Sequence, residues 1–259
     1  MTVTAFPVIG KKKSLDICLA FVHGCGGKIG TTFRGGPTFF YGVDESNVDA
    51  FDKAKASGEP WYYCDNSYFD SSRQQAFRIT NSRLQHTGAG ASDGNRFAEL
   101  GIDIAPWRAA GEHIVVCQQS DSFMQTLAGY PGDWTQDTMR ALAEATRRPV
   151  LMRGWSPNKG ALSSTLAADL HNAHALMTWS SAAAITAILA GIPAIVGARD
   201  CAAWAMTEGS NGIEDLAMPA DRLRWASVLA DNQFTLDEMR SGFAWKQLHA
   251  KAGNNTETT

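Results

Sequence analysis

The chain has 259 residues, is 44% hydrophobic and 19% charged, and carries a formal net charge of −3, a balance that excludes disordered, fibrous and collagen-like classes. That length admits one large domain or two small ones. With no global basic footprint, contact with nucleic acid would have to come from a local patch.

No apolar run approaches the roughly 20 residues that span a bilayer. Lys11, Lys12 and Lys13 follow the weak N-terminal apolar stretch instead of preceding it, so no signal peptide is expected. The five cysteines (Cys18, Cys25, Cys64, Cys117, Cys201) are scattered and never form a CxxC pair, which points to a reducing compartment and away from structural zinc.

Apolar runs alternate with helical patterns along most of the chain, the signature of βα units around a mainly parallel sheet. "DICLAFV" (16–22) reads as a first strand, followed by a glycine-rich turn, "HGCGGKIG" (23–30). "PTFFYGV" (37–43) and "PWYYCD" (60–65) read as strands, with an amphipathic helix ending at Gly58 between them. "FRITNSRLQHTGAGASDGNRF" reads as a long polar loop, and "SDGNRFAELG" (92–101) carries cap chemistry and a glycine stop that predict a short helix within and beyond its end. "HIVVCQQ" (113–119) is a fourth strand.

A second series comes next. "DWTQDTMRALAEATRR" (133–148) is a helix, "PVLMR" a strand, "SSTLAADLHNA" a helix and "ALMTW" a strand. "SSAAAITAILAGIPAIV" gives a helix that stops at Gly191 and Pro193 before a β-branched strand. "TLDEMRSGFAWKQLHAK" is a final amphipathic helix, and "AGNNTETT" reads as a frayed end. The division is placed at "GYPGDW" (129–134), which gives lobes of 1–130 and 131–259 with a cleft between them as the default site.

In open α/β sheets ligands collect beyond the carboxyl ends of strands, so polar residues there carry the candidate chemistry. His23 and Lys28 lie in the glycine-rich turn, which is neither a Walker A loop nor a full GxGxxG. Asp65, Asn66, Tyr68 and Asp70 follow the third strand, where a carboxylate can act as a base or orient an amine. Arg78, Arg83, His86, Ser92, Asp93 and Arg96 crowd the following loop, and Gln118 to Asp121 follow the fourth strand. Arg153 leaves a strand in the second half, and Ser180 and Ser181 start a helix, so together they read as a phosphate clamp of guanidinium and helix N-terminus. His171 and His174 lack an acidic third ligand, so no metal is expected.

The residues "RPVLMR" and "LHNAHALMTWSSAAAITAILAGIPAIV" resemble the nucleotide-binding half of GT-B glycosyltransferases and related UDP-GlcNAc 2-epimerases, with Arg153, Ser180, Ser181, Ala187, Gly191 and Pro193 at matching positions. Where that pattern has ribose-binding glutamates, this chain has Ile185 and Thr186. "WYYCDNSYFD", "FRITNSRLQH", "SDGNRF", "APWR", "IVVCQQSD" and "NQFTLDEMRSGFAW" resemble the recurring blocks of a phage group of GT-B-like proteins, within which amino acid:DNA transferases of thymidine hypermodification are the nearest functional match.

That resemblance implies an α/β, GT-B-like fold of two Rossmann-type lobes with a C-terminal helix. It implies a transferase that replaces the phosphate of 5-phosphomethyl-deoxyuridine in double-stranded DNA with an amino acid, glycine, in the cytoplasm of an infected bacterial cell. No cofactor beyond the amino acid co-substrate is called for, and no membrane. On this reading Arg153, Ser180, Ser181, Lys28 and His23 hold phosphate, and Asp65, His86 or Asp93 deprotonates the amine. Lys12, Lys13, Arg34, Arg73, Arg78, Arg83 and Lys159 contact DNA, while Tyr68, Phe69 or Trp155 stacks on a flipped base. The rival reading is a nucleotide-sugar-dependent glycosyltransferase acting on hydroxymethylated DNA or a glycan.

Overall fold

The computed structural model describes residues 2–69, 75–156 and 162–254. In chain order its first elements are β1 (Thr4–Ala5), α1 (Lys12–Cys25), β2 (Lys28–Ile29), β3 (Thr38–Tyr41), α2 (Val48–Ala56), β4 (Trp61–Asn66) and β5 (Ala76–Asn81). After them come α3 (Asn95–Leu100), β6 (His113–Cys117), α4 (Asp121–Phe123) leading into a π-helical turn (Met124–Ala128), and α5 (Trp134–Ala145). Next are β7 (Val150–Arg153), α6 (Leu166–Asp169), β8 (Ala173–Thr178), α7 (Ala183–Leu189), β9 (Ala194–Val196) and α8 (Arg222–Ala230). The chain closes with β10 (Gln233–Thr235), α9 (Leu236–Arg240) and α10 (Phe243–Asn254). Among the described residues no helix is long and apolar enough to cross a membrane.

Two compact units result, one of residues 1–86 with 230–259 and one of residues 87–229. The breaks therefore fall at 86/87 and 229/230, not at "GYPGDW". The cause is the return of the chain: β10 pairs antiparallel with β5, Phe234 opposite Phe77, and draws the C-terminal helices into the first unit. "GYPGDW" is instead the approach to α5, whose Asp133 caps the helix by accepting from Gln136 N at 3.0 Å.

The first unit holds a six-stranded sheet ordered β10-β5-β4-β3-β1-β2, parallel from β1 to β4 and antiparallel at β5 and β10. Its core stacks Phe21 of α1 on Phe39 of β3, ring centroids 4.0 Å apart, with Tyr62, Phe77 and Phe234 beside them. The expected strand at 16–22 is part of α1. Its apolar run is too short for periodicity to separate strand from helix. The burial is helical: Ser14, Ile17, Cys18, Phe21 and Val22 face the core, while Leu15 and Leu19 lie exposed. Gly26 then ends α1 in the left-handed conformation, φ 67°, with its N–H on Val22 O.

"FRITNSRLQH" also departs from expectation, because its first half is β5. Phe77, Arg78, Ile79 and Thr80 are all buried there, so the polar residues hide a strand whose two faces are both covered. The tail predicted as one helix is two, broken at Gly242 (φ 78°). Thr235 and Glu238 form a capping box that starts the first of them.

The second unit holds a four-stranded, wholly parallel sheet ordered β7-β6-β8-β9. Ile114, Val116, Ala175, Leu142 and Ile213 form one buried cluster against it. The predicted helix over 163–173 is only the single turn of α6, capped by Thr165. The α3 helix appears as expected and stops at Gly101, φ 64°.

In the first unit α1 crosses the α9–α10 junction backbone to backbone. A Cβ on Gly24 would lie 1.9 Å from Met239 O, and one on Gly242 would lie 2.6 Å from Gly24 O. Gly24→Ala is therefore expected to cost about 1–3 kcal/mol, the usual range for overpacking, read as a lower denaturant midpoint. An unchanged midpoint would contradict this close approach.

Candidate functional site

Parallel pairing sets the carboxyl edge of the second unit's sheet. Cys117 of β6 is in register with Arg153 of β7 and with Thr178 of β8, and Thr178 with Val196 of β9. The residues just past each strand therefore gather at one edge: Gln118 and Gln119, Gly154 and Trp155, Trp179 to Ser181, and Gly197.

At this edge the Gln119 amide, assigned the orientation that its hydrogen-bonding neighbours require, accepts on its side-chain oxygen from Ser180 N at 2.9 Å and from Ser181 N at 2.8 Å. Two successive backbone N–H groups thus converge on one oxygen, the arrangement of an anion-binding nest. Ser181 Oγ is engaged locally, accepting from Ala183 N at 3.2 Å.

Arg153 is in the same row, yet its guanidinium is engaged. It pairs with Asp169 and donates to Ser164 O at 3.0 Å, while Ser164 Oγ donates to the other carboxylate oxygen. The side chains are 14% and 4% exposed, so this is a buried ion pair. Asp169 in turn takes a hydrogen bond on its backbone oxygen from His113 Nε2 at 2.8 Å. Sequence reading paired Arg153 with phosphate and assigned no role to Asp169, because a carboxylate 16 residues downstream gives no local signal.

Aromatic residues flank the edge. Trp179 packs against Tyr130 at 5.1 Å and Trp134 at 6.4 Å between ring centroids. Gly197 lies flat on the indole, since a Cβ there would meet Trp179 Cε3 at 2.4 Å. Burial pushes the Cys117 thiol up to about 12, which removes it as a thiolate nucleophile near neutral pH. Ile185, where the resemblance has a ribose-binding glutamate, is fully buried, and Thr186 beside it is exposed and uncharged.

In the first unit the carboxyl ends of β3 and β4 carry Tyr41, Asp65 and Asn66. Asp65 Oδ2 accepts from Arg78 Nη2 at 2.6 Å and Oδ1 from Asn66 N at 2.7 Å, which fixes the carboxylate. Arg78 also donates to Asn66 O at 3.1 Å and is 8% exposed, so it serves Asp65 and cannot reach a DNA phosphate. Tyr68 and Phe69 are buried too, their N–H groups on Gln233 Oε1, and neither presents a face for a base to stack on. Tyr68 OH accepts from His86 N at 2.7 Å.

The three candidate bases are not gathered by one unit. Asp65 and His86 belong to the first and Asp93 to the second. Both oxygens of Asp93 are used at the start of α3, one on Asn95 N and one on Asn95 Nδ2, each at 3.0 Å, which is turn chemistry. His23 ends α1 with Nδ1 3.1 Å from Arg240 O, and Lys28 starts β2, so neither follows a strand as the glycine-rich turn had suggested. Lys12, Lys13, Arg34 and Arg83 are exposed, as is Trp155 at 53%. Arg73, Lys159 and Asp70 lie outside the described residues.

No protein-family model matches the chain, and comparison with curated proteins finds no relative. Two solved structures from Thermosulfurimonas dismutans share its fold. The KpsC β-Kdo 2,7-transferase aligns at TM-score 0.50 and 12% identity, covering 97% of this chain and 100% of its own. The KpsC β-Kdo 2,4-transferase aligns at TM-score 0.51 and 10% identity, covering 88% and 90%. With its two α/β units, the chain has a GT-B-like fold.

The Arg153–Asp169 geometry makes a direct prediction. Removing one partner of a buried ion pair strands the other charge and costs about 3–5 kcal/mol, whereas losing an exposed phosphate-binding arginine costs about 0.5 kcal/mol or less. Arg153→Met is expected to lower the unfolding free energy by the larger amount in urea titration, and a change of the smaller size would contradict the buried pair.

Proposed function

We propose that the protein is a GT-B-type glycosyltransferase that takes a sugar from a phosphate-activated donor, a nucleotide sugar, and passes it to a hydroxyl on hydroxymethylated DNA or a glycan. The observation that carries this reading is the convergence of Ser180 N–H and Ser181 N–H on a single oxygen at the carboxyl edge of a parallel sheet. Likeness in fold to two sugar transferases supports it.

In this reading a donor phosphate oxygen replaces the Gln119 side chain on the two amides. The charge that builds on the departing phosphate as the glycosidic bond breaks is then met by fixed backbone dipoles, which need no reorganisation during the reaction. Arg153 is already neutralised by Asp169, so its contribution is to hold the end of β7 in place and not to supply net charge.

A second reading is favoured by one observation. Ile185 is buried and Thr186 carries no charge, so the ribose grip expected beside the phosphate grip is missing. A site that holds phosphate without a nucleoside handle suits an amino acid:DNA transferase, which displaces the phosphate of a 5-phosphomethyl base in double-stranded DNA with glycine. Exposed Lys12, Lys13, Arg34 and Arg83 would then follow the DNA backbone, and catalysis would take place in the cytoplasm of an infected cell without a metal.

Mass spectrometry of products separates the two. The purified chain is incubated with a nucleotide-sugar pool and either hydroxymethylated duplex DNA or glycan acceptors, and separately with 5-phosphomethyluracil DNA and amino acids. A sugar adduct is the expected outcome. A nucleoside that gains an amino acid and loses phosphate would overturn it in favour of the second reading, and no product in any tube would contradict both.

A further inference from the structure

The first unit holds a set of donors that the proposed reaction at the second unit's sheet does not use. Lys13 Nζ donates to Asn66 Oδ1 at 2.9 Å and lies 5.4 Å from the Tyr41 ring centroid and 5.3 Å from that of Phe77. Tyr41 OH donates to the same Asn66 oxygen at 3.3 Å. Two donors on one oxygen fix the amide orientation, so Asn66 Nδ2 faces away from them. Among the described residues, neither Asn66 Nδ2 nor the two remaining N–H groups of Lys13 has a protein acceptor.

Charge points the same way. Asp65 is paired with Arg78 and Lys12 with Asp16, but Lys13 has no carboxylate partner among the described residues. One positive charge is left uncompensated near a buried guanidinium whose Nε also lacks a hydrogen-bond partner among those residues. An exposed lysine is ordinarily mobile, whereas two aromatic rings and an amide oxygen hold this one in a single place. Helix stability does not explain it, because a cation in the first turn opposes the helix dipole and α1 has no acidic residue there.

Topology completes the case. From β1 the chain crosses through α1 to β2 on one side, and β3 then returns to the other side of β1, so the order reverses between β1 and β3. Ligands of open α/β sheets bind beyond the carboxyl ends of strands at such a reversal. Lys13, Tyr41 and Asn66 stand at that edge.

We propose that Lys13 and Asn66 form a binding site for the phosphate group of a phosphate ester, seated at the carboxyl ends of β3 and β4. A lysine acts as a point charge on phosphate and the amide adds two directional donors, whereas a planar carboxylate is better matched by an arginine fork. The site goes beyond the proposed glycosyl transfer and stands whichever group the second unit moves.

The test is calorimetric titration of the full chain at fixed ionic strength with inorganic phosphate, sodium acetate and a short unmodified DNA duplex, without any donor. The parent is expected to bind phosphate in preference to acetate, and Lys13→Gln and Asn66→Asp are each expected to weaken it by about tenfold or more. Lys53→Gln, on an exposed lysine paired with Asp49 on α2, should bind as the parent does. Parallel loss of duplex binding in Lys13→Gln would identify a nucleic-acid backbone as the source of the phosphate, and unchanged duplex binding a small phosphate ester. Should Asn66→Asp fail to fold, Lys13→Gln on its exposed side chain decides alone. No phosphate binding by the parent, equal binding of acetate, or full phosphate binding by Lys13→Gln would overturn the site, and none of these readouts depends on product formation.

Discussion

Parallel pairing of β6 with β7 and β8 is the constraint on which the second unit depends. It leaves no freedom in where the strands end: with Cys117, Arg153 and Thr178 in register, the peptides after all three strands emerge side by side. A slip of one residue would move Val116 and Ala175 to the opposite face of the sheet, away from the cluster they pack in. The nest at Ser180 and Ser181 is therefore a product of core packing, since the buried residues that hold register also hold the two amides. Gln119 adjoins them because it leaves the neighbouring strand two residues past the last ladder position.

Buried charge is handled in the same manner in both units. Arg78 serves Asp65 and Arg153 serves Asp169, each guanidinium withdrawn from solvent and tied to a carboxylate and to a backbone carbonyl. Such pairs add little net stability, but breaking one is costly because the survivor is left desolvated. Their effect is to fix geometry. Asp65 and the end of β7 are held more firmly than loop residues would be, which is what a preorganised site requires.

Much of the α/β order was legible in the sequence. Alternating apolar runs gave β3, β4, β6, β7, β8 and β9, and glycine stops marked the ends of α3 and α7, because those signals are local. The "DICLAFV" run was not, since seven residues of this kind satisfy a strand or a buried helix face equally and only packing under Phe39 and Tyr62 decides. The division of the chain was hidden for a different reason: β10 pairs with β5 across more than 150 intervening residues, and nothing near either strand announces it. Within the candidate site, Ser180 and Ser181 were visible as polar residues before an alanine-rich helix, although the cap of that helix is Ala182 and neither serine caps it. Gln119 was visible as a polar residue past the fourth strand, but its pairing with the two serine amides was not, and Asp169, which holds Arg153, was not visible at all, because each acts through a partner on another strand or helix.

Amide NMR of the isotopically labelled chain tests the central claim most directly: a donor phosphate takes the place of the Gln119 oxygen. On titration with a nucleoside diphosphate, the Ser180 and Ser181 N–H resonances are predicted to move downfield together, as a charged oxygen replaces a neutral one, while the Gln119 side-chain amide moves as it is released. If the nucleotide binds and the Ser180 and Ser181 amides stay where they were, the phosphate is held elsewhere and the nest between β8 and α7 is only a structural cap.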